Sequence, residues 1–347
     1  RIDQSVVIHT ITDKGKGHPE AEADRIGTYH GISRASGTRP EGISWSEAIV
    51  RIMVALQREV ETFVIMPAME VGTKFEPFAR RFPDRYIDVG IAEEMAASMA
   101  GAMARRGIRV FLPLYATFAQ RAFDQILNDI CRSDHHVVIG IDRAGIVGED
   151  GSTHQGLFDV SMFYLMPNTV IVMPRNAQEA ASLLHHGFLG QKHPFIIRYP
   201  RGLIPMEPDV TFEPVAFGWE EIEEGARLTM IGYGPSLELL LRVKTEFSID
   251  ATIVNARFIK PIDEEMMHAI CRSGRPIFVY EEAANSGSLY PQILSFMAQH
   301  GYHNRIAERS ITDRVVGHGR YEDILAELRM DAASIGDYLR GFLDETR

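Results

Sequence analysis

Cysteine is scarce, with Cys131 and Cys271 the only two in 347 residues. They form neither a CxxC pair nor a zinc-ligand spacing, so neither a disulfide framework nor a zinc module can be built on them. Both are expected as small buried hydrophobes in a reducing, cytoplasmic setting. Dense Lys/Arg runs are missing as well. Basic residues number 36 against 47 acidic ones, and the net charge of −11 excludes the basic footprint of a nucleic-acid binder. No apolar run is long enough to span a bilayer, so no membrane partner is expected. A secretory leader pattern is lacking too, and the chain opens on Arg1 rather than Met, so further sequence upstream is expected.

What is present reads as a soluble globular protein, 45% hydrophobic and 24% charged, of two or three domains by length. Residues 5–11 (SVVIHTI) look like a buried strand, and 12–42 have the Gly, Pro and polar content of a linker. Ser44-Trp45-Ser46-Glu47 has the form of a capping box opening a helix to about Arg58. Strands are then expected at 62–66, 86–89, 109–114, 137–141, 169–173 and 195–198, with helices at 92–106, 118–131 and 177–188. That alternation predicts a doubly wound α/β domain with a parallel sheet. Prolines and acids interrupt the rhythm over 203–226. A second alternating series follows, with strands near 228–231, 252–255, 277–280 and 305–308, and predicts a smaller α/β domain from about 206 to 347.

Ligands of open parallel sheets bind beyond the carboxyl ends of the strands. Four strand-to-helix junctions there carry unusual polar residues: Ile91-Ala92-Glu93-Glu94; Tyr115-Ala116-Thr117-Phe118 with Arg121; Asp142-Arg143-Ala144-Gly145 running on to Asp150 and His154; and Arg198-Tyr199-Pro200-Arg201-Gly202. Singly, each has an ordinary reading. Glu93 and Glu94 offset a helix dipole, Phe118 is core, Arg143 and Arg201 are surface ion pairs, and His154 is an exposed loop residue. The pairs His135-His136 and His185-His186 lack metal-ligand spacing, and no metal ligand is assigned. Together the junctions gather a carboxylate, an aromatic, arginines, an aspartate and a histidine at one edge. That set suits a phosphorylated, anionic substrate and acid–base chemistry.

At the same junctions the sequence resembles the 1-deoxy-D-xylulose-5-phosphate synthases of the transketolase-like superfamily. The stretches that carry the resemblance are KGKGHPEAEADRIGTYHG (14–31), FPDRYIDVGIAEEMA (82–96), LYATFAQRAFDQ (114–125), IDRAGIVGEDGSTHQGLFDV (141–160) and IIRYPRG (196–202), with VYEE (279–282) and HG (318–319) agreeing more loosely. The resemblance implies the tail of a diphosphate-binding domain and a linker over 1–42, a pyrimidine-binding domain over 43–205, and a transketolase C-terminal-like domain over 206–347. It further implies thiamine diphosphate as cofactor, with Mg²⁺ held mainly by a first domain whose GDG signature does not occur here. The implied reaction condenses pyruvate, with loss of CO₂, with D-glyceraldehyde 3-phosphate. The product, 1-deoxy-D-xylulose 5-phosphate, feeds isoprenoid precursors, thiamine and pyridoxal. A homodimer is implied as well.

Residue by residue, Glu93 matches the glutamate that activates the cofactor and Phe118 the aromatic that stacks on its pyrimidine. Tyr115, Arg143 and Arg201 match positions that bind the phosphorylated acceptor. Arg121, Asp150 and His154 match polar positions around the reacting carbons, and His30 matches a linker histidine that reaches into the site. The family usually reads IAEQHA where this chain has IAEEMA, so Glu94 adds a charge beside Glu93 and Met95 removes an imidazole. A Glu94 that faced the site would raise the pKa of Glu93. Other readings stay open: a transketolase-like subunit, a 2-oxoacid dehydrogenase β-type subunit with another acceptor, or a paralogue that has lost catalysis.

Overall fold

A computed structural model describes residues 4–13, 15–23, 42–205 and 211–344. The chain divides into two compact units, Arg1–Glu41 and Gly42–Arg347. In the first, the strand expected at 5–11 is not formed. Residues 4–13 are exposed and without regular structure, with Val7 at 93%. An apolar β-prone run becomes a strand only when a neighbour takes its backbone hydrogen bonds, and no described strand pairs with it. A turn and the short helix Pro19–Ala23 follow, held by Gly17 N donating to Glu22 Oε1 at 2.7 Å.

The second unit opens as the capping signal predicts. Ser44 Oγ accepts from Glu47 N at 3.2 Å and the helix runs Trp45–Leu56. The reciprocal arm of the box is not made, because Glu47 Oε1 accepts from Arg51 at 2.6 Å instead. Strands follow at Thr62–Met66 (β1), Tyr86–Asp88 (β2), Arg109–Tyr115 (β3), Val137–Asp142 (β4), Val170–Val172 (β5) and Phe195–Arg198 (β6). The second half adds Glu220–Glu223 (β7), Leu228–Gly232 (β8), Ala251–Asn255 (β9), Phe258–Lys260 (β10), Ile277–Ala284 (β11) and Ile306–Ile311 (β12). Runs such as VVIGID in β4 are buried at every position, as a strand covered on both faces requires.

The larger sheet has the order β10-β5-β6-β4-β3-β1-β2 and the smaller β12-β11-β8-β9-β7. All pairs are parallel except the two edges, β10 on β5 and β7 on β9. The expected α/β class, with two mainly parallel sheets, is what the chain adopts. Strand β7 lies where the sequence rhythm appeared broken. Its EEIE run reads as loop because edge strands carry charge that discourages further pairing. Strand β10 comes from the second half yet completes the first sheet.

The helix expected at 118–131 is broken into an α-turn (Ala116–Ala119), a 3-10 turn (Gln120–Ala122), a short α-segment (Phe123–Gln125) and a π-segment (Ile126–Cys131). The π-segment packs on the helix Glu93–Arg105, where a Cβ on Gly101 would stand 2.4 Å from the Asp129 carbonyl oxygen. Cys131 and Cys271 are buried, as expected. Among the described residues no helix is long and apolar enough to cross a membrane.

The two halves meet through a buried polar chain. Arg198, at the end of β6, donates to Asp159 from Nε at 2.6 Å and Nη2 at 3.0 Å. Its guanidinium lies 5.6 Å from the ring centre of Tyr233, whose hydroxyl donates to Glu281 Oε2 at 3.0 Å. Glu281 also accepts from Ser288 Oγ at 2.7 Å and from the amides of Leu289 and Tyr290 at 3.1 and 3.0 Å. Removing one member of a buried pair strands the other charge. Asp159→Asn should therefore cost about 3–5 kcal/mol in urea unfolding. A loss below about 1 kcal/mol, the scale of an exposed pair, would show that the junction does not depend on it.

Candidate active site

The chain runs from β1 outward to β2, then returns to place β3 on the other side of β1. Such a reversal opens a crevice at the carboxyl ends of the strands. Glu93 begins the helix after β2 and is 2% exposed. Its Oε1 accepts from Arg121 Nη1 at 2.7 Å, while its Oε2 is buried with no hydrogen-bond partner among the described residues. Buried polar atoms are nearly always partnered, so an orphaned carboxylate oxygen marks a place for a donor. The 3-10 turn at Gln120–Ala122 aims Arg121 back at Glu93, and its guanidinium lies 4.9 Å from the ring centre of Phe118. Phe118 is half-buried, stacked on Tyr115 at 5.5 Å and 8°, with the edge of His154 at 5.6 Å.

Tyr115 ends β3, and burial pushes its phenol pKa well up. Arg143 lies 4.3 Å from the Tyr115 ring centre. It follows β4 in the left-handed region (φ 61°), a costly conformation for a non-glycine residue. A three-residue knot holds it. Asp142 Oδ2 accepts from Ser46 Oγ and from Arg143 Nη1, both at 2.8 Å, and Arg143 Nη1 also donates to Ser46 Oγ at 2.7 Å. Burial raises the Asp142 carboxyl pKa, and Arg143 opposes that rise. Burial alone would lower the Arg143 pKa, but Asp142, Tyr115 and Asp150 outweigh it and raise it.

From Arg143 the chain enters a pinned loop, where Gly145 and Gly156 exchange backbone hydrogen bonds at 2.7 and 2.8 Å. Only glycine fits at 156, because a Cβ there would stand 1.9 Å from the Arg143 carbonyl oxygen. The loop carries Asp150 between two arginines, with Arg201 Nε at 3.0 Å and Arg143 Nε at 3.9 Å. Arg201 also lies 3.6 Å from Glu149. His154 Nδ1 is 2.9 Å from Thr153 Oγ1, and Thr117 Oγ1 donates to the Thr153 carbonyl at 2.9 Å. The second half closes the loop from behind. Gln155 Nε2 donates to Gly317 O at 2.9 Å, and Ile146 N donates to Glu282 Oε2 at 3.3 Å. A cavity of about 510 Å³ lies there, lined by Arg201, Glu282 and Tyr321 but not by Glu93 or Phe118.

Thus Tyr115, Phe118, Arg121, Arg143, Asp150, His154 and Arg201 join Glu93 in one connected network, as their positions after successive parallel strands predicted. His30 lies outside the described residues. Glu94 and Met95 are exposed, Met95 at 59%. Sequence reasoning gave Ser46, Asp142 and Glu149 no role in the site, although Asp142 heads the third junction. Asp142 had a readable signal, an acid closing an otherwise apolar parallel strand; Ser46 looked like part of a cap. His136, set aside as structural, has Nε2 2.7 Å from Gly187 O.

The domain family described as transketolase, pyrimidine binding domain, matches residues 41–207, and the transketolase C-terminal domain matches 218–335. The 1-deoxy-D-xylulose-5-phosphate synthase of Geobacillus thermodenitrificans (strain NG80-2) is 37% identical over 355 residues, covering 98% of this chain and 56% of that protein. The one from Bacillus cereus (strain AH820) is 38% identical over 347 residues, covering 96% and 55%. The chain therefore spans about half the length of the curated relatives it matches. A solved split gene transketolase, titled an inactive beta4 tetramer, is 26% identical with a TM-score of 0.78 over 88% of this chain and 100% of its own. Transketolase from Campylobacter jejuni shares the fold at 17% identity, with a TM-score of 0.72 over 94% of this chain and 51% of its own. With both domains matched in order, the chain belongs to the transketolase-like family and groups within it with the 1-deoxy-D-xylulose-5-phosphate synthases.

Proposed function

We propose that this chain supplies the aminopyrimidine side of a thiamine-diphosphate site in an enzyme that condenses pyruvate with D-glyceraldehyde 3-phosphate to 1-deoxy-D-xylulose 5-phosphate. In this reading 43–205 is the pyrimidine-binding domain and 206–347 the C-terminal one. The diphosphate and Mg²⁺ are held by a diphosphate-binding domain. The observation that carries the reading is the buried, unpartnered Oε2 of Glu93 beside the half-buried ring of Phe118. An aminopyrimidine needs a hydrogen-bonding acid at a ring nitrogen and an aromatic surface, and these two residues fit it.

When bound, thiamine diphosphate supplies the carbon nucleophile and the electron sink for decarboxylation. The chain's own residues do the positioning. Arg121 fixes the plane of the Glu93 carboxylate through Oε1 and leaves Oε2 for the ring nitrogen. Arg143 and Arg201 offer planar forks to the acceptor's phosphate, and Asp150, now between them, marks where an anion is held. His154, packed edge-on against Phe118, is placed to move a proton near the acceptor's carbonyl.

Ile91, 80% exposed, and Met95 flank Glu93 and support a subunit contact there, as a homodimer would make. A second reading is a split transketolase subunit using another sugar phosphate. The solved split gene transketolase, all of which this chain covers, favours it.

Two substitutions test the assignment in the enzyme completed by its diphosphate-binding domain. Glu93→Gln should retain cofactor binding and lose about 10²–10⁴ in turnover, the scale of an acid–base role. Near-normal turnover would remove the reading. Arg201→Ala should raise KM for glyceraldehyde 3-phosphate and leave pyruvate decarboxylation less affected. Equal impairment with unphosphorylated glyceraldehyde would show that Arg201 does not read the phosphate.

A further inference from the structure

A cleft of about 940 Å³ lies at the amino edge of the smaller sheet, opposite the strand ends that face the larger one. Three adjacent parallel strands start there in register, with Thr229, Ile277 and Ile306 as partners. Arginines stand just before each strand: Arg227 before β8, Arg275 before β11 and Arg305 before β12. All three line the cleft together with Ser273, Tyr302 and His303. The topology therefore gathers three guanidinium groups at one edge of a chain whose net charge is −11.

Arg275 is built in. Its Nε donates to Ser273 Oγ at 3.1 Å, and its Nη1 donates to Thr252 Oγ1 at 2.9 Å and to the Gly225 carbonyl. These acceptors are neutral, so they fix the side chain without cancelling its charge. Arg227 is exposed, and neither it nor Arg275 has a carboxylate within 4.0 Å among the described residues. Asn304 stiffens the wall by donating to the carbonyls of Cys271 at 3.0 Å and Arg275 at 2.9 Å. Arg305 donates to Phe342 O at 2.8 Å and contributes to the lining.

We propose that this cleft binds a phosphate-bearing small molecule, with Arg227 and Arg275 on the phosphate oxygens. Arg227 can present a guanidinium fork and Arg275 its Nη2 to phosphate oxygens, and the volume lies in the range of small-molecule sites. The inference stands apart from the catalytic reading and shares no residue with it.

The test is calorimetric titration of residues 1–347 at low ionic strength with inorganic diphosphate and, separately, with ADP. Both should bind, and added salt should weaken both. Tighter binding of ADP would identify an organic phosphate as the occupant. Equal binding would mean that the cleft reads the phosphate group alone. Arg227→Gln, at an exposed side chain, should weaken binding about tenfold, the worth of one charge-assisted hydrogen bond. Arg275→Gln should weaken it at least as much. Absence of binding at millimolar ligand, or affinity unchanged in Arg227→Gln, would overturn the proposal.

Discussion

Parallel strands all enter a sheet from the same side, so everything that follows them leaves at one edge. In the larger sheet that constraint places the residues after β2, β3, β4 and β6 side by side, although they are spread from Glu93 to Arg201. The reversal of strand order around β1 then opens the edge where Glu93 and Tyr115 stand. No single segment makes the site. The fold assembles it, and the segment between β3 and β4 must abandon regular helix for Arg121 to turn back on Glu93. Irregular 3-10 and π turns inside a helical stretch are common where a side chain must be re-aimed for function.

The same economy governs charge. Arg143 and Arg201 would repel each other across the loop without Asp150, and Asp150 would be poorly placed without them. Arg143 is further tied to Asp142 and Ser46, so one arginine is rigid and the other more exposed. In the proposed reading, a pair with one tied and one more exposed member exchanges a carboxylate for a substrate phosphate without rebuilding the wall. The second half contributes from behind, through Glu282 and the Gly317 carbonyl to which Gln155 donates, and locks the loop. The buried Arg198–Asp159 pair with Tyr233 and Glu281 fixes where that support stands.

Much of this was legible in the residues. Continuous apolar runs bounded by polar junctions located every strand of the larger sheet except β10, and the Ser44 cap located the helix Trp45–Leu56. What escaped is informative. Residues 5–11 have a strand's composition and no strand partner among the described residues, so local propensity found nothing there to pair with. Strand β7 is charged because it is an edge, and β10 pairs with a strand of the other half, a long-range contact that no local pattern shows. The break at 120–131 goes with tertiary contacts, among them the close approach of the π-segment to Gly101, that local propensity does not show. Within the site, the acids and arginines after each strand could be read. The Ser46–Asp142 contact could not, because it joins residues far apart in the chain.

The central claim is that Glu93 Oε2 engages the cofactor's pyrimidine and so promotes loss of the thiazolium C2 proton. Hydrogen–deuterium exchange at that carbon, followed by NMR with thiamine diphosphate bound to the enzyme completed by its diphosphate-binding domain, measures this without any acceptor. The account predicts that exchange in Glu93→Gln is slower than in the unaltered protein by about 10²–10⁴, close to that of free cofactor. Equal exchange rates in the two proteins, with the cofactor bound in both, would contradict it.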